Sequence, residues 1–284
     1  MKKGLVLEGG AMRGLFTAGV LDVFMENDIK FDGCVGISAG AIFGCNLKSH
    51  QVGRALRYNQ KYARDPRYCS IRSLVTTGNL YGADFCYKTL PYELDPFDFE
   101  AFEKDPMEFY VGTTDVNTGR PVFHKCTDGR DNDLTWIRAS ASMPMVSKPV
   151  EAGGRLLLDG GITDPIPLHF MEQKGYDRNV VILTQPADYV KKKSAGTPVM
   201  SLLLREYPAI AKAMSYRHHL YNAQTRRIAR LEAQGKIFVI RPPKSLGIGR
   251  TESDPNELER VYYIGRCEGL ACIERLRKFL SKTK

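Results

Sequence analysis

The chain has 284 residues, of which 43% are hydrophobic, so it can bury a large core in one α/β domain with an appendage or in two small domains. The composition and the absence of an internal repeat exclude collagen-like, coiled-coil and disordered classes. No stretch approaches the roughly 18 apolar residues of a membrane span, so any membrane contact would be peripheral. The seven cysteines form no C-x-x-C pair, and the apolar run before Glu8 is too short for a signal peptide. We therefore expect a cytoplasmic protein.

The net charge of +9 is concentrated in the C-terminal third of the chain. From Val190 onward there are 20 Lys and Arg against 8 Asp and Glu, whereas residues 1–189 hold 21 against 24. Three lysines at 191–193 precede the sequence SAGTP, which is typical of a linker. We therefore predict a domain over residues 1–189 and a basic, mainly helical region over residues 190–284. One continuous domain with basic last elements is the alternative.

Strand-like runs alternate with helical patterns along the first part of the chain, which predicts an α/β fold with a mainly parallel sheet covered by helices. The pattern predicts helices over residues 13–27 and directly after Ser38. Residues 65–98 are rich in Tyr, Pro, Gly and Asp and are predicted to be surface loops, with a lid as the alternative. The predicted strands are 4–7, 32–37, 154–161 and 179–185, and a hairpin is predicted over 108–116 and 120–126.

Residues 36–40 read Gly-Ile-Ser-Ala-Gly at a predicted strand-to-helix turn. Such a turn strains the backbone of Ser38, and only small neighbours such as Gly36 and Gly40 let its side chain stand clear. The helix behind the serine directs N–H groups and the positive end of its dipole towards it. The pattern is typical of a serine nucleophile. A flexible turn with a capping serine is the alternative.

A second loop, Glu8-Gly9-Gly10-Ala11-Met12-Arg13-Gly14, follows the first predicted strand. Its small residues leave consecutive N–H groups unobstructed at a helix start, so it is typical of an anion-binding loop. The anion is a developing oxyanion or a nucleotide phosphate, and a tight turn without a ligand is the third possibility. The nucleotide is disfavoured because Ala11 replaces the second glycine of the dinucleotide fingerprint, and because the next strand does not end in an acidic residue.

Two residues are candidates for the base that takes the proton of Ser38. His169 is the one histidine of five in a suitable sequence context, DPIPLHF. Asp159 ends the apolar run LLLD, where an α/β sheet carries functional groups, and is followed by Gly160 and Gly161. Asp-Gly-Gly is also a common turn. A carboxyl group with an unperturbed pKa of about 3.9 is a weak base, so a catalytic Asp159 requires a dry pocket that raises its pKa.

The glycine-rich loop, the G-x-S-x-G turn and the distant Asp-Gly-Gly, in that order, resemble the patatin-like phospholipases over residues 3–186. The resemblance implies a three-layer α/β fold and a Ser-Asp dyad, with Ser38 as nucleophile and Asp159 as base. It also implies an oxyanion hole made by the N–H groups of Gly9, Gly10 and Ala11. The resemblance further implies supporting roles for Arg13, which stands at the family's basic position, and for the neighbouring glycines Gly14, Gly36, Gly40, Gly160 and Gly161.

Two positions depart from the family pattern. Glu8 stands where an aspartate is common, and Ala11 stands where a third glycine is common. Alanine still donates its N–H group but has fewer backbone conformations available. The segment ASASMP, residues 139–144, is a predicted helix end and is similar to one that packs near the dyad in such proteins.

The resemblance implies a serine lipid acyl hydrolase of the phospholipase, lysophospholipase or esterase type, acting on a lipid ester or fatty-acyl substrate. Such an enzyme needs no metal or cofactor. A non-catalytic lipid or membrane adaptor with the same fold is the alternative.

The basic C-terminal region is predicted to be folded. Helical spacing over residues 208–235 is followed by a strand-like run at 236–243 and by capping residues from Asp254 for a helix that continues towards Leu280. The positive charge makes either an ordinary solvated surface or a patch that contacts anionic membrane. Nucleic acid is not expected, because charge alone supplies no groove-reading motif.

Overall fold

The computed structural model describes residues 1–193 and 204–281. Over these residues the chain forms one mixed eight-stranded sheet in the order β5-β6-β3-β2-β1-β7-β8, with β4 paired to β3. The strands β1, β2, β3, β7 and β8 are mutually parallel, and β4, β5 and β6 run antiparallel to their partners. The strands are β1 (Lys2–Leu7), β2 (Gly33–Ile37), β3 (Glu108–Asp115), β4 (Pro121–Cys126), β5 (Val150–Ala152), β6 (Arg155–Asp159), β7 (Tyr176–Ile182) and β8 (Ile237–Ile240).

Helices cover both faces of this sheet. They are α1 (Gly14–Glu26), α2 (Ala39–Lys48), α3 (Arg54–Tyr62), α4 (Ile71–Thr77), α5 (Phe99–Lys104), α6 (Asp131–Ser140), α7 (Leu168–Gln173), α8 (Pro208–Ala233) and α9 (Pro255–Ser281). Short 3₁₀ turns span Ala11–Arg13 and Gly160–Ile162, and a π-helix spans Phe85–Leu94. The predicted α/β class and the order of strands and helices are therefore confirmed.

The alternation of side chains along β1 divides the core into two layers. Leu5 and Leu7 belong to the hydrophobic cluster that includes residues of α1, α2 and α9. Val6 points to the other face and joins a cluster with Met171 of α7 and Ile228 of α8. Because a strand alternates its side chains with a period of two, a strand covered on both faces is apolar throughout. This explains the continuous hydrophobic run of β1.

The predicted hairpin is confirmed, and its first strand determines the layout of the sheet. Gly112 of β3 pairs with Phe123 of β4 on one side and with Ile37 of β2 on the other. The next residue, Thr113, pairs with β4 on the first side and with Asp159 of β6 on the second. Strands β2 and β6 therefore share one edge of β3, and the end of β2 lies directly beside the end of β6.

The C-terminal region is built into the same core. Strand β8 pairs in parallel with β7, and Leu258 and Val261 of α9 are buried in the cluster that contains Leu5. Helix α9 approaches α1 so closely that a Cβ atom at Gly265 would lie 2.0 Å from the carbonyl oxygen of Phe16. The predicted helix, strand and helix of this region are confirmed. The predicted SAGTP linker lies outside the described residues, and the boundary at residue 190 stays a prediction.

The prediction of surface loops over residues 65–98 was wrong for much of that segment. Helix α4 and the π-helix both fall within it. Aromatic side chains hold it together: the ring of Tyr68 meets those of Tyr81 and Phe85 edge to face, with centroids 5.6 and 6.4 Å apart. These contacts join residues that are distant in sequence, so helical periodicity does not reveal them. Within the described ranges, no helix has the length and apolar character to cross a membrane.

Candidate active site

Ser38 lies at the turn between β2 and α2, with φ 54° and ψ −120°, a conformation that residues other than glycine seldom adopt. The turn is as tight as the G-x-S-x-G pattern predicts. A Cβ atom at Gly36 would lie 2.5 Å from the carbonyl oxygen of Gly40, and one at Gly40 would lie 2.5 Å from that of Leu7. Any larger residue at either position would push α2 away from the sheet.

Asp159 is buried at the end of β6, and the Ser38 side chain lies close enough to its carboxyl group to lower the pKa of Asp159. The two residues are close because β2 and β6 pair with the same edge of β3, so that the ends of these two strands are adjacent. The structure therefore brings together the two residues that the sequence predicted as a dyad. His169 is not brought there: its side chain is 72% exposed on α7 and lies near Glu172, and it lines neither of the cavities that contain Ser38.

Burial raises the pKa of Asp159 above its ordinary value of 3.8. Four neighbours oppose this shift by favouring the ionised form. The positive charge of Arg217 has the largest effect, followed by the Ser38 side chain and by the N–H group of Gly161, which donates to Oδ1 at 2.7 Å. The positive charge of Arg250 is the fourth. The dry pocket that a basic aspartate requires is thus present around this residue.

The end of α6 and the residues just after it form hydrogen bonds with the backbone of Ser38 and Asp159. The N–H group of Ser38 donates to Ser140 Oγ at 2.9 Å, and the Ser140 hydroxyl donates to the carbonyl of Gly112 at 2.6 Å. The N–H group of Asp159 donates to the carbonyl of Ser142 at 2.9 Å. Helix α6 ends at Ser140, so the prediction of a helix end in this segment is confirmed. No local pattern in the sequence indicates the role of the Ser140 hydroxyl.

The glycine-rich loop lies beside Ser38. In the described part of the chain, the N–H groups of Gly9, Gly10 and Ala11 donate to no protein acceptor, and all three residues line a small cavity with Ser38. Ala11 has φ 49°, which explains why glycine suits this position. Arg13 lines the same cavity, and Gly14 begins α1.

Glu8 connects this loop to the C-terminal region. Its buried carboxylate accepts hydrogen bonds from the Thr184 N–H at 2.7 Å and from the Tyr221 hydroxyl of α8 at 2.8 Å. Burial raises the pKa of Glu8, and these two hydrogen bonds oppose the shift. The sequence marked Glu8 only as a departure from the family pattern, because its partners lie far along the chain.

Two cavities of different character contain Ser38. The larger has a volume of about 240 Å³ and is mainly apolar. The π-helix and its neighbours in residues 65–98 form much of its wall. Besides Ser38, its lining includes Ile42, Phe43, Tyr58, Tyr87, Leu90 and Met143.

The smaller cavity has a volume of about 90 Å³ and is polar. Four cationic side chains line it, together with the carboxylates of Glu8 and Asp159. The four are Arg13, Lys191, Arg217 and Arg250. Three of them come from the C-terminal region, and none of those three was predicted from the sequence to be a site residue.

One group within the described residues has the composition of a metal site: His124, Cys126 and Asp133. Its geometry has a structural explanation. Asp133 accepts hydrogen bonds from the N–H groups of Thr127, Asp128 and Gly129 at 2.7 to 3.0 Å, and it lies 2.7 Å from His124 Nε2. The carboxylate therefore closes the loop before α6, and burial raises the pKa of the Cys126 thiol.

A family model described as "Patatin-like phospholipase" matches residues 5–171. The chain belongs to this family. A second model, described as "Domain of unknown function (DUF6363)", matches residues 207–281. The patatin match covers every residue of the predicted dyad and glycine-rich loop, whereas Arg217 and Arg250 of this patatin-like protein lie in the second match.

Relatives cover this patatin-like chain to different extents. The uncharacterized protein YjjU of Escherichia coli (strain K12) is 29% identical over 294 residues, which covers 98% of this chain and 79% of that protein. Lysophospholipase nte1 of Aspergillus oryzae is 30% identical over 184 residues, which covers 61% of this chain but only 11% of that protein. The crystal structure of VipD from Legionella pneumophila has a TM-score of 0.47 and 13% identity, and the match covers 96% of this chain and 67% of that one.

The bridge made by the Ser140 hydroxyl predicts a stability difference between two neighbouring serines. Ser140→Ala leaves the N–H of Ser38 and the carbonyl of Gly112 without this partner, so we expect the free energy of unfolding to fall by about 1–3 kcal/mol. Ser142→Ala is the matched control, because among the described residues the Ser142 hydroxyl bonds only to the carbonyl of Arg138, in the last turn of α6. Urea denaturation of both variants measures the difference. Equal stability of the two variants would contradict the role given to Ser140.

Proposed function

We propose that the protein is a serine lipid acyl hydrolase in which Ser38 is the nucleophile and Asp159 the general base. The observation that carries the proposal is the position of Ser38 in a strained turn, beside a buried carboxylate, where an apolar cavity and a loop of free N–H groups meet. Membership of the patatin-like phospholipase family and the similarity to lysophospholipase nte1 support a lipid ester as substrate.

In the first step, Asp159 accepts the hydroxyl proton of Ser38 while Oγ bonds to the ester carbonyl carbon. The N–H groups of Gly9, Gly10 and Ala11 stabilise the oxyanion, as do the positive end of the α2 dipole and the charge of Arg13. The carbon–oxygen ester bond then breaks, and the leaving alcohol takes the proton from Asp159. The product is an acyl-serine.

In the second step, water attacks the acyl-serine and gives its proton to Asp159. Collapse of this second oxyanion releases the fatty acid, and Ser38 recovers its proton from Asp159. The larger cavity suits the acyl chain, because aromatic and aliphatic side chains line it. The protein groups alone provide every proton transfer in this cycle.

Two substitutions test the roles of the dyad. Ser38→Ala removes one hydroxyl and is expected to abolish ester hydrolysis with the fold retained. Asp159→Asn is expected to lower kcat by about three powers of ten, as the loss of a catalytic base does. Hydrolysis of a p-nitrophenyl ester measures both, and circular dichroism checks the fold.

His169→Ala is the control for the alternative base and should keep kcat within about twofold, because the side chain is exposed and away from both cavities. A large loss in His169→Ala with an active Asp159→Asn would replace the dyad with a histidine mechanism. A folded wild-type protein with no turnover on any ester would favour the non-catalytic adaptor.

The raised pKa of Asp159 predicts the pH dependence. Asp159 accepts a proton only when ionised, so kcat/KM falls as the pH drops through its pKa, and this acid limb should lie above pH 3.8. Asp164, whose pKa burial raises to about 6, is the matched control, since it is a half-buried aspartate outside both cavities. In Asp164→Asn the acid limb of the kcat/KM profile should be unchanged. In Asp159→Asn the residual activity should show no acid limb. A limb that moves in Asp164→Asn would refute the assignment.

We also propose that the protein acts in the cytoplasm and contacts anionic membrane through the C-terminal region. Part of the positive charge there is engaged in ion pairs, such as Arg227 with Glu172 at 2.7 Å. Arg226 and Arg230 of α8 are exposed one helical turn apart, so they present charge on the same face.

Vesicle sedimentation of the Ser38→Ala protein tests the membrane contact. Each basic residue near the surface adds about 1 kcal/mol, so binding should require anionic lipid, weaken at high salt and decrease in Arg226→Gln/Arg230→Gln. Equal binding to neutral and anionic vesicles, or binding to neither, would contradict this proposal.

A further inference from the structure

Four cationic side chains converge on the smaller cavity beside Ser38, from four separate parts of the chain. Arg13 precedes α1, Lys191 follows β7, Arg217 lies on α8 and Arg250 precedes α9. Their convergence is a product of the tertiary structure, because the C-terminal region folds back over the end of the sheet that carries Ser38. The cavity is therefore shared between the segment with the dyad and the basic segment.

None of these four cations forms an ion pair with a carboxylate within 4.0 Å among the residues that the structure describes. The Nε atom of Arg13 is buried without a hydrogen-bond partner. Other arginines of the C-terminal region do have carboxylate partners: Arg266 pairs with Glu26 at 2.7 Å and Arg277 with Glu274 at 2.8 Å. Arg13, Lys191 and Arg217 are half-buried, and Arg250 is exposed. Like charges repel one another when they are gathered around one cavity, so a cluster without carboxylate partners points to an anionic ligand.

The cavity also contains two carboxylates, but both are already engaged. Glu8 accepts hydrogen bonds from Thr184 and Tyr221, and Asp159 accepts one from Gly161. The lining therefore carries four positive and two negative groups. Burial and the charges of Arg217 and Arg250 lower the pKa of Lys191 to about 8, which is the effect expected when like charges are held together in one cavity.

The position of the cluster relative to the larger cavity indicates which part of a substrate it contacts. Ser38 lines both cavities. An ester whose acyl chain fills the apolar cavity presents its carbonyl to Ser38, and its alcohol portion then extends into the cationic cavity. The cations are suited to a compact, highly charged group on that alcohol.

We propose that Lys191, Arg217 and Arg250, together with Arg13, bind a phosphate on the alcohol portion of the substrate. This inference rests on the proposed function and narrows its substrate class. The preferred substrates are acyl esters that carry a terminal phosphate monoester, above zwitterionic phosphocholine esters and uncharged glycerides. Arginine and lysine bind phosphate through short, charge-assisted hydrogen bonds, and an array of four favours the most highly charged head group. An acyl thioester of a phosphate-bearing carrier is a second source of the same chemistry.

The test compares substrates that share one oleoyl chain and differ in the group that leaves. They are 1-oleoyl-glycerol 3-phosphate, 1-oleoyl-glycerophosphocholine, mono-oleoylglycerol and oleoyl-coenzyme A. For the wild type we expect kcat/KM for the phosphate monoester to exceed that for mono-oleoylglycerol by about tenfold or more, the scale of one or two charged hydrogen bonds. A higher value for oleoyl-coenzyme A than for the monoester would assign the cavity to the thioester.

Two variants then remove charge from the cavity. Lys191→Gln and Arg250→Gln are each expected to lower the ratio of kcat/KM for the phosphate monoester to that for mono-oleoylglycerol by about tenfold. Lys192→Gln is the matched control, since this exposed lysine is adjacent in sequence but outside the cavity. Arg217 stays intact because, of the two arginines whose charges favour ionised Asp159, it has the larger effect. The smaller effect of Arg250 on the base is common to both substrates and cancels in the ratio. A wild-type ratio near one, or a ratio that neither variant changes, would overturn the inference.

Binding to the Ser38→Ala protein separates this inference from the proposed function. Calorimetry with the short-chain lipid 1-hexanoyl-glycerol 3-phosphate should show binding that weakens about tenfold in Ser38→Ala/Lys191→Gln and is retained in Ser38→Ala/Lys192→Gln. If this pattern appears without hydrolysis of any ester by the wild type, the phosphate site stands and the hydrolase proposal fails. If esters are hydrolysed but binding does not depend on Lys191, the phosphate site fails alone.

Discussion

The arrangement of the candidate site depends on one edge of strand β3. Strand β2 pairs along this edge as far as Gly112, and β6 pairs along it from Thr113, so the ends of two strands that run in opposite directions meet there. Ser38 follows the first strand and Asp159 ends the second. Because backbone hydrogen bonds fix both strands, and Ser140 and Ser142 bind the N–H groups of the two residues, their approach does not rely on flexible loops.

The C-terminal region completes the site as well as the core. Helix α9 packs against α1, and Tyr221 of α8 reaches the buried Glu8 at the start of the glycine-rich loop. The positive charge of this region has at least two uses. Arg227, Arg266 and Arg277 pair with carboxylates and stabilise the packing, whereas Lys191, Arg217 and Arg250 line the cavity beside Ser38. The net charge of the C-terminal region is therefore larger than the charge that is available to contact a membrane.

Local sequence signals were sufficient for every strand except the short β5, for the hairpin and for the turn at Ser38, where contacts within the turn itself require Gly36. They also identified Asp159 at a strand end. They could not reveal Ser140 or Arg217, because a serine in a helix end and an arginine on a long helix are ordinary in sequence and gain their contacts only through tertiary packing. The same reason explains the error over residues 65–98, whose aromatic contacts and cavity wall are long-range features.

We propose that Ser38 is a nucleophile, that Asp159 activates it, and that it lies at the mouth of the cavity for the acyl chain. Reaction with a long-chain alkyl fluorophosphonate, followed by peptide mass spectrometry, tests it most directly. We expect a single adduct, on Ser38, that forms far more slowly in Asp159→Asn and not at all in Ser38→Ala. An adduct on a different residue, or no adduct on folded wild-type protein, would contradict it.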